Sequence, residues 1–98
     1  MSELDKLELY LKEHGFNYER SDEDAVNVFG GIWIGEKHQI VVKDDKGEYL
    51  WDAICHPGSY GFRQGLLEIM GRIVYPGNDV EGYLTAQQII DRLEKQGE

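Results

Sequence analysis

The chain has 98 residues, enough for one domain over 1–98 with a modest core, and 41% of them are hydrophobic, which argues against disorder. Acidic residues number 19 against 10 basic ones, a formal net charge of −9, so nucleic-acid phosphates and anionic membranes should repel the chain and a general nucleic-acid-binding role is disfavoured. No apolar run approaches the roughly 18 residues of a membrane span, no signal-peptide pattern is expected at the start, and the single cysteine, which cannot form an internal disulfide, fits a reducing cytosol.

The first predicted element is a helix from about Glu3 to His14. Ser2 with Asp5 approximates a capping box, and Leu4, Leu7 and Leu11 share one face. Gly15 followed by Phe16 reads as a glycine stop with a hydrophobic contact. Residues 19–25 are polar and read as a surface loop. Residues 26–34 leave three readings open: a hairpin turning at Gly30-Gly31, a bulged strand, or a flap. The apolar Ile32-Trp33-Ile34 is expected to pack at least in part.

His38 to Lys43 reads as a strand and Asp44-Asp45-Lys46-Gly47 as a turn. A four-residue loop there would set Lys43 opposite Glu48, Val42 opposite Tyr49 and Ile40 opposite Trp51. Ile40, Val42, Tyr49 and Trp51 would then form the core face. The other face would carry Gln39, Lys43, Glu48 and Asp52, with Val41, Leu50 and Ile54 among them.

The stretch 48–72 organises the rest. Tyr49 to Cys55 is a strand, Pro57 ends its ladder, and Gly58 and Gly61 permit an abrupt turn. Ser59 is placed to cap a second helix over 61–71, because Phe62, Leu66, Ile69, Met70 and Ile73 recur at helical spacing. Pro76-Gly77 reads as a turn and residues 79–83 as connection. A third helix starts at Thr85, with Thr85 and Gln88 as a capping box and Leu84 and Ile89 as its hydrophobic staple. The order α-β-β-(β)-α-α predicts an α+β fold: a small antiparallel meander of about three strands packed against three helices.

Few residues invite chemistry. Cys55 and His56 are adjacent in a strand and point to opposite faces, so His56 cannot activate the thiol without a bend at Pro57. His38, Cys55 and His56 lack any metal-ligand spacing, and no metal or cofactor is expected. Gly58-Ser59-Tyr60-Gly61 has Pro57 where a nucleophile elbow needs glycine, and no Walker A follows. Asp52 with Glu48 or Glu68 forms the kind of acidic pair that 19 acids produce by chance. The turn at 56–63 remains the one candidate ligand site, with His56, Ser59, Tyr60 and Arg63 as its residues, because exposed N–H groups at a helix start attract anions. A pocket there holding Cys55, Ser59 and His38 within reach of one another would mark an enzyme instead.

The segments His38-Gln39-Ile40, Trp51-Asp52-Ala53-Ile54-Cys55, Gly58-Ser59-Tyr60-Gly61, Gly65-Leu66-Leu67-Glu68, Met70-Gly71 and Gly82-Tyr83-Leu84-Thr85-Ala86 resemble a group of small acidic proteins of Gram-positive gut bacteria and their prophages, a group with no assigned function. The resemblance implies a cytoplasmic, mobile-element origin and no catalytic residue. It also suggests a host nucleic-acid-binding protein as the blocked target. Composition and resemblance together predict a non-catalytic binding or regulatory module that meets a basic protein partner through its acidic surface, with a homodimer through Val41, Leu50 and Ile54 compatible. The plainer reading of the acidity is solubility.

Overall fold

Two helices cover one face of a five-stranded antiparallel sheet, in a computed structural model that describes residues 1–23, 27–28, 32–33 and 36–97. Chain order is α1 (Glu3–Glu13), β1 (Asn17–Glu23), β2 (Asn27–Val28), β3 (Ile32–Trp33), β4 (Lys37–Lys43), β5 (Tyr49–Cys55), a 3-10 turn (Phe62–Gln64), β6 (Leu67–Gly71), β7 (Val80–Leu84) and α2 (Ala86–Lys95). The large sheet runs β1-β4-β5-β6-β7, so β1 and β7 are its edges. β2 and β3 pair separately, Asn27 with Trp33 and Val28 with Ile32. That ladder keeps the register of β1 and β4, where Glu23 meets Lys37. The Gly30-Gly31 turn lies outside the described residues. Among the described residues, no helix is long and apolar enough to cross a membrane.

Both helices start as their sequences dictate. Ser2 and Asp5 close a reciprocal capping box on α1, and Thr85 and Gln88 close another on α2. Leu4, Leu7 and Leu11 from α1 and Ala86, Ile89 and Leu93 from α2 meet Ile40, Val42, Trp51, Ala53, Leu67 and Ile69 of the sheet in one core. Burial of this apolar surface is the main force holding helices to sheet.

The expected count of about three strands and three helices is wrong. The sheet has five strands, and the helices are the N- and C-terminal ones only. Residues 61–71 are not a helix. Gly61 (φ +96°) and Gly65 (φ +71°) both take left-handed backbone, which confines the helical part to the single turn Phe62–Gln64. The next residues fit a period of two as well as one of 3.6: Leu67 and Ile69 are buried in the core, and Met70 is exposed. β1 and β7, read as loop and connection, are edge strands, β1 with mostly polar side chains and β7 with a charged residue and a glycine, Glu81 and Gly82, inside it. Their inward residues include Tyr18 and Arg20 on β1 and Glu81 on β7, so no apolar alternation marks them.

The β4–β5 hairpin is present with a different register. Ile40 pairs with Ala53 and Val42 with Trp51, while Lys43 pairs with Tyr49, which leaves Leu50 as an extra residue in a β-bulge. The turn is tied by Asp44, whose Oδ1 accepts the N–H of Lys46 (2.8 Å) and of Glu48 (2.9 Å). The bulge turns Leu50 toward the core and Tyr49 away from it, so Tyr49 is 51% exposed rather than a core residue. Lys43 reaches Glu19 at 3.0 Å and not Glu48. Gly71 sits against the bulge: a Cβ there would lie 2.6 Å from the Leu50 carbonyl oxygen.

Candidate functional site

Two places on the fold gather chemistry. The first is a cleft of about 440 Å³ between the start of α1, the middle of β1, the adjoining ends of β4 and β5, and the 3-10 turn. Leu4 and Leu67 are buried beneath it, Phe62 and Cys55 are half-buried, and Arg20, Arg63, His38, Glu3 and Glu36 stand around it. His38 and Cys55 are here because they are register partners across β4 and β5.

The charges of this cleft are paired with one exception. The His38 ring donates Nδ1–H to Asp22 (2.6 Å) and Nε2–H to Glu36 (3.3 Å). The Asp22 carboxylate holds the imidazole above its ordinary value of 6.5, so the ring favours the cation. Arg20 bonds Asp5 (2.7 Å), Glu8 (3.0 Å) and Asp22 (3.0 Å), which ties β1 to α1. Glu3 accepts the Ala86 N–H at 2.7 Å and the Lys6 ammonium at 2.9 Å, and the Ala86 bond keeps its carboxyl below the usual range. Arg63 is exposed and forms no ion pair or side-chain hydrogen bond among the described residues.

Burial pushes the Cys55 thiol up, and the Glu36 charge adds to the shift. A protonated thiol beside an imidazole committed to two carboxylates is the opposite of a thiolate–base pair. Ser59 is not in this cleft. Its Oγ donates to the His56 carbonyl (2.8 Å) and accepts the His56 N–H (3.1 Å), closing the turn on itself. The expected helix cap at Ser59 is therefore a turn lock, with Gly61 preceding the 3-10 turn instead. His56 donates Nδ1–H to the Pro57 carbonyl at 2.8 Å. Tyr60 is exposed and stacks on Tyr83 with centroids 6.3 Å apart. Gly82 permits this, since a Cβ there would lie 2.3 Å from the Tyr60 Cβ. Of the four residues expected to bind a ligand, Arg63 lines the cleft, while His56, Ser59 and Tyr60 do not. Ser59 and Arg63 also line a second, mainly polar hollow with Gln64 and Tyr83. Among the described residues, no three His, Cys, Asp or Glu side chains form a metal-holding group.

The second place is the sheet face away from the helices. Asp52 pairs with Val41 on one side and Met70 on the other; Ile54 pairs with Gln39 and Glu68. Asp52 and Glu68 are thus diagonal neighbours on one face, each only 8% exposed. Asp52 accepts hydrogen bonds from Gln39 Nε2 (3.1 Å) and Tyr49 Oη (2.5 Å), and Glu68 from the Tyr60 N–H (3.1 Å). Neither carboxylate has a cationic partner among the described residues. Burial and the Asp52 charge push the Tyr49 hydroxyl well above its ordinary value, so Tyr49 stays a donor to Asp52. Sequence reasoning set Asp52 beside Glu68 as a chance pair; only the β5–β6 register brings them onto one face.

No family model, curated protein or solved structure matches this chain.

Proposed function

We propose that this chain is a non-catalytic, cytosolic binding module that meets a basic protein partner through the helix-free face of its sheet. The observation that supports the reading is the pair of nearly buried carboxylates, Asp52 and Glu68, which have no cationic partner among the described residues and lie among half-buried Val41 and Ile54 and exposed Met70. Desolvated anions cost free energy unless they are paired, and a partner's lysine or arginine would supply the missing charge. The apolar residues around them supply contact area of the kind that surrounds binding hot spots. The acidic excess steers such a partner at low salt. A second copy in a two-fold dimer would bring the same carboxylates toward each other, which favours a different, basic partner over self-association. The resemblance to prophage proteins adds a host nucleic-acid-binding protein as the partner class, its phosphate site occupied by this acidic face.

The test is an affinity capture from host lysate with the native chain and with Asp52→Asn/Glu68→Gln side by side. A specific basic protein should be held by the native chain, lost with the double variant, and released at about 0.5 M salt, where the Debye length falls to roughly 4 Å. Equal capture by both chains, or capture indifferent to salt, would rule the reading out.

A further inference from the structure

We infer that the cleft between α1 and the 3-10 turn is a binding site for a small organic carboxylate with an apolar body, with Arg63 as the residue that holds its charged head. The site is separate from the sheet face proposed to meet a protein and prefers the opposite charge.

Size, lining and charge each contribute. A volume of about 440 Å³ falls in the range of small-molecule pockets. Its apolar residues are Leu4, Phe62 and Leu67, and the half-buried Cys55 adds a small apolar surface as a neutral thiol. Besides Arg63, its lining carries two cations, Arg20 and His38, and two carboxylates, Glu3 and Glu36, each engaged within the chain: Arg20 with Asp5, Glu8 and Asp22, His38 with Asp22 and Glu36, Glu3 with Lys6. The N–H groups of α1 add little pull, since Ser2 already caps the Asp5 N–H. Among the lining residues one positive charge is left over, the Arg63 guanidinium, which has no partner among the described residues. A guanidinium binds a carboxylate through two parallel N–H···O bonds, which an ammonium or a neutral donor cannot reproduce. The complement of the cleft is therefore a monoanion whose hydrocarbon or aryl part lies over Leu4, Phe62 and Leu67.

The probe is octanoate, with octanol as its uncharged counterpart, followed by amide NMR shifts of the native chain and of Arg63→Gln. Octanoate should shift the resonances of Leu4, Phe62 and Leu67 and bind about tenfold more tightly than octanol, the worth of a charge-assisted hydrogen bond. Arg63→Gln should bring octanoate down to the octanol affinity while the melting temperature stays unchanged, because the Arg63 side chain is exposed and forms no hydrogen bond or ion pair among the described residues. Alkylation of Cys55 gives an independent readout: octanoate should slow it more than octanol does in the native chain, and no more than octanol does in Arg63→Gln. Equal affinity for octanoate and octanol, an Arg63→Gln chain that still prefers octanoate, or shifts confined to the helix-free face would each overturn the inference. None of these results depends on a protein partner, so the two proposals stand or fall separately.

Discussion

His38 and Cys55 face each other directly across β4 and β5, and yet the pair is arranged against nucleophilic chemistry. Both ring nitrogens of His38 point at carboxylates, Asp22 at 2.6 Å and Glu36 at 3.3 Å, so neither is left to accept the thiol proton. Burial and the Glu36 charge raise the Cys55 pKa further. Alkylation of Cys55 at neutral pH should therefore be slower than that of a free cysteine peptide, and His38→Gln should not slow it more. A Cys55 that reacts faster than the peptide, or that loses its reactivity in His38→Gln, would show a working thiolate–imidazole pair.

The ion pairs predict a stability optimum with two distinct flanks. The Glu81 carboxyl is held low by the Arg92 guanidinium, which meets it at 2.6 and 3.1 Å, and His38 holds Asp22 low in the same way. A depressed carboxyl contributes stability that is complete above its unfolded value, near 4, and is lost as pH falls through the folded value. His38 is raised, so its contribution is complete below 6.5 and fades as pH climbs through the folded value. Urea unfolding across pH should show both flanks. His38→Gln should flatten the alkaline flank and most of the Asp22 share of the acid one, while Arg92→Met should weaken the acid flank and cost about 3 kcal/mol at neutral pH, because Glu81 would be left largely buried and unpaired.

Trp51 and Gly71 test the centre of the sheet. Trp51 is 1% exposed, so Trp51→Ala should cost about 3–5 kcal/mol, a large part of the stability of a domain this size. Gly71 has φ +104° and no room for a Cβ beside Leu50 and Trp51. Gly71→Ala should therefore destabilise by more than the roughly 1 kcal/mol of left-handed strain alone. A Gly71→Ala chain that melts with the native one would mean that the Leu50 bulge is not held as described.

Legibility followed the local signals. Both helices were readable because Ser2–Asp5 and Thr85–Gln88 are self-contained capping boxes, and β4 and β5 because their apolar residues cluster between clear turn signals. β1 and β7 were missed because an edge strand buries only part of one face: Arg20 and Glu81 face inward only by virtue of Asp5, Glu8 and Arg92, none of them close in sequence. β6 was misread because its apolar run fits both periods, and the positive φ of Gly61 and Gly65 decided the matter. At the site, Arg63 was legible only as one of the residues of the 56–63 segment, expected near a helix start. The inward locking of Ser59 and the cleft charges contributed by Asp22 and Glu36 depend on which strands pair, and one turn motif does not contain that information.

Asp52 carries the sharpest test of the proposed interaction surface. Its carboxylate is nearly buried and has two neutral donors, Gln39 and Tyr49, but no cation among the described residues. An ordinary structural carboxylate loses stability when neutralised. A carboxylate kept charged for a partner gains or holds it, because its desolvation is not repaid within the fold. Asn preserves the shape, its Oδ1 still accepts from Tyr49, and the Gln39 amide can turn its oxygen toward the new NH₂. Asp52→Asn should thus leave the unfolding free energy unchanged or raise it by about 1 kcal/mol. The same variant should weaken binding of a lysine-rich probe peptide by at least roughly tenfold, the lower end of what loss of a buried interfacial charge costs. Urea denaturation and calorimetric titration of the one variant read both quantities. A less stable Asp52→Asn that binds the peptide as before would make Asp52 a structural residue and remove the support for the helix-free face as a partner site.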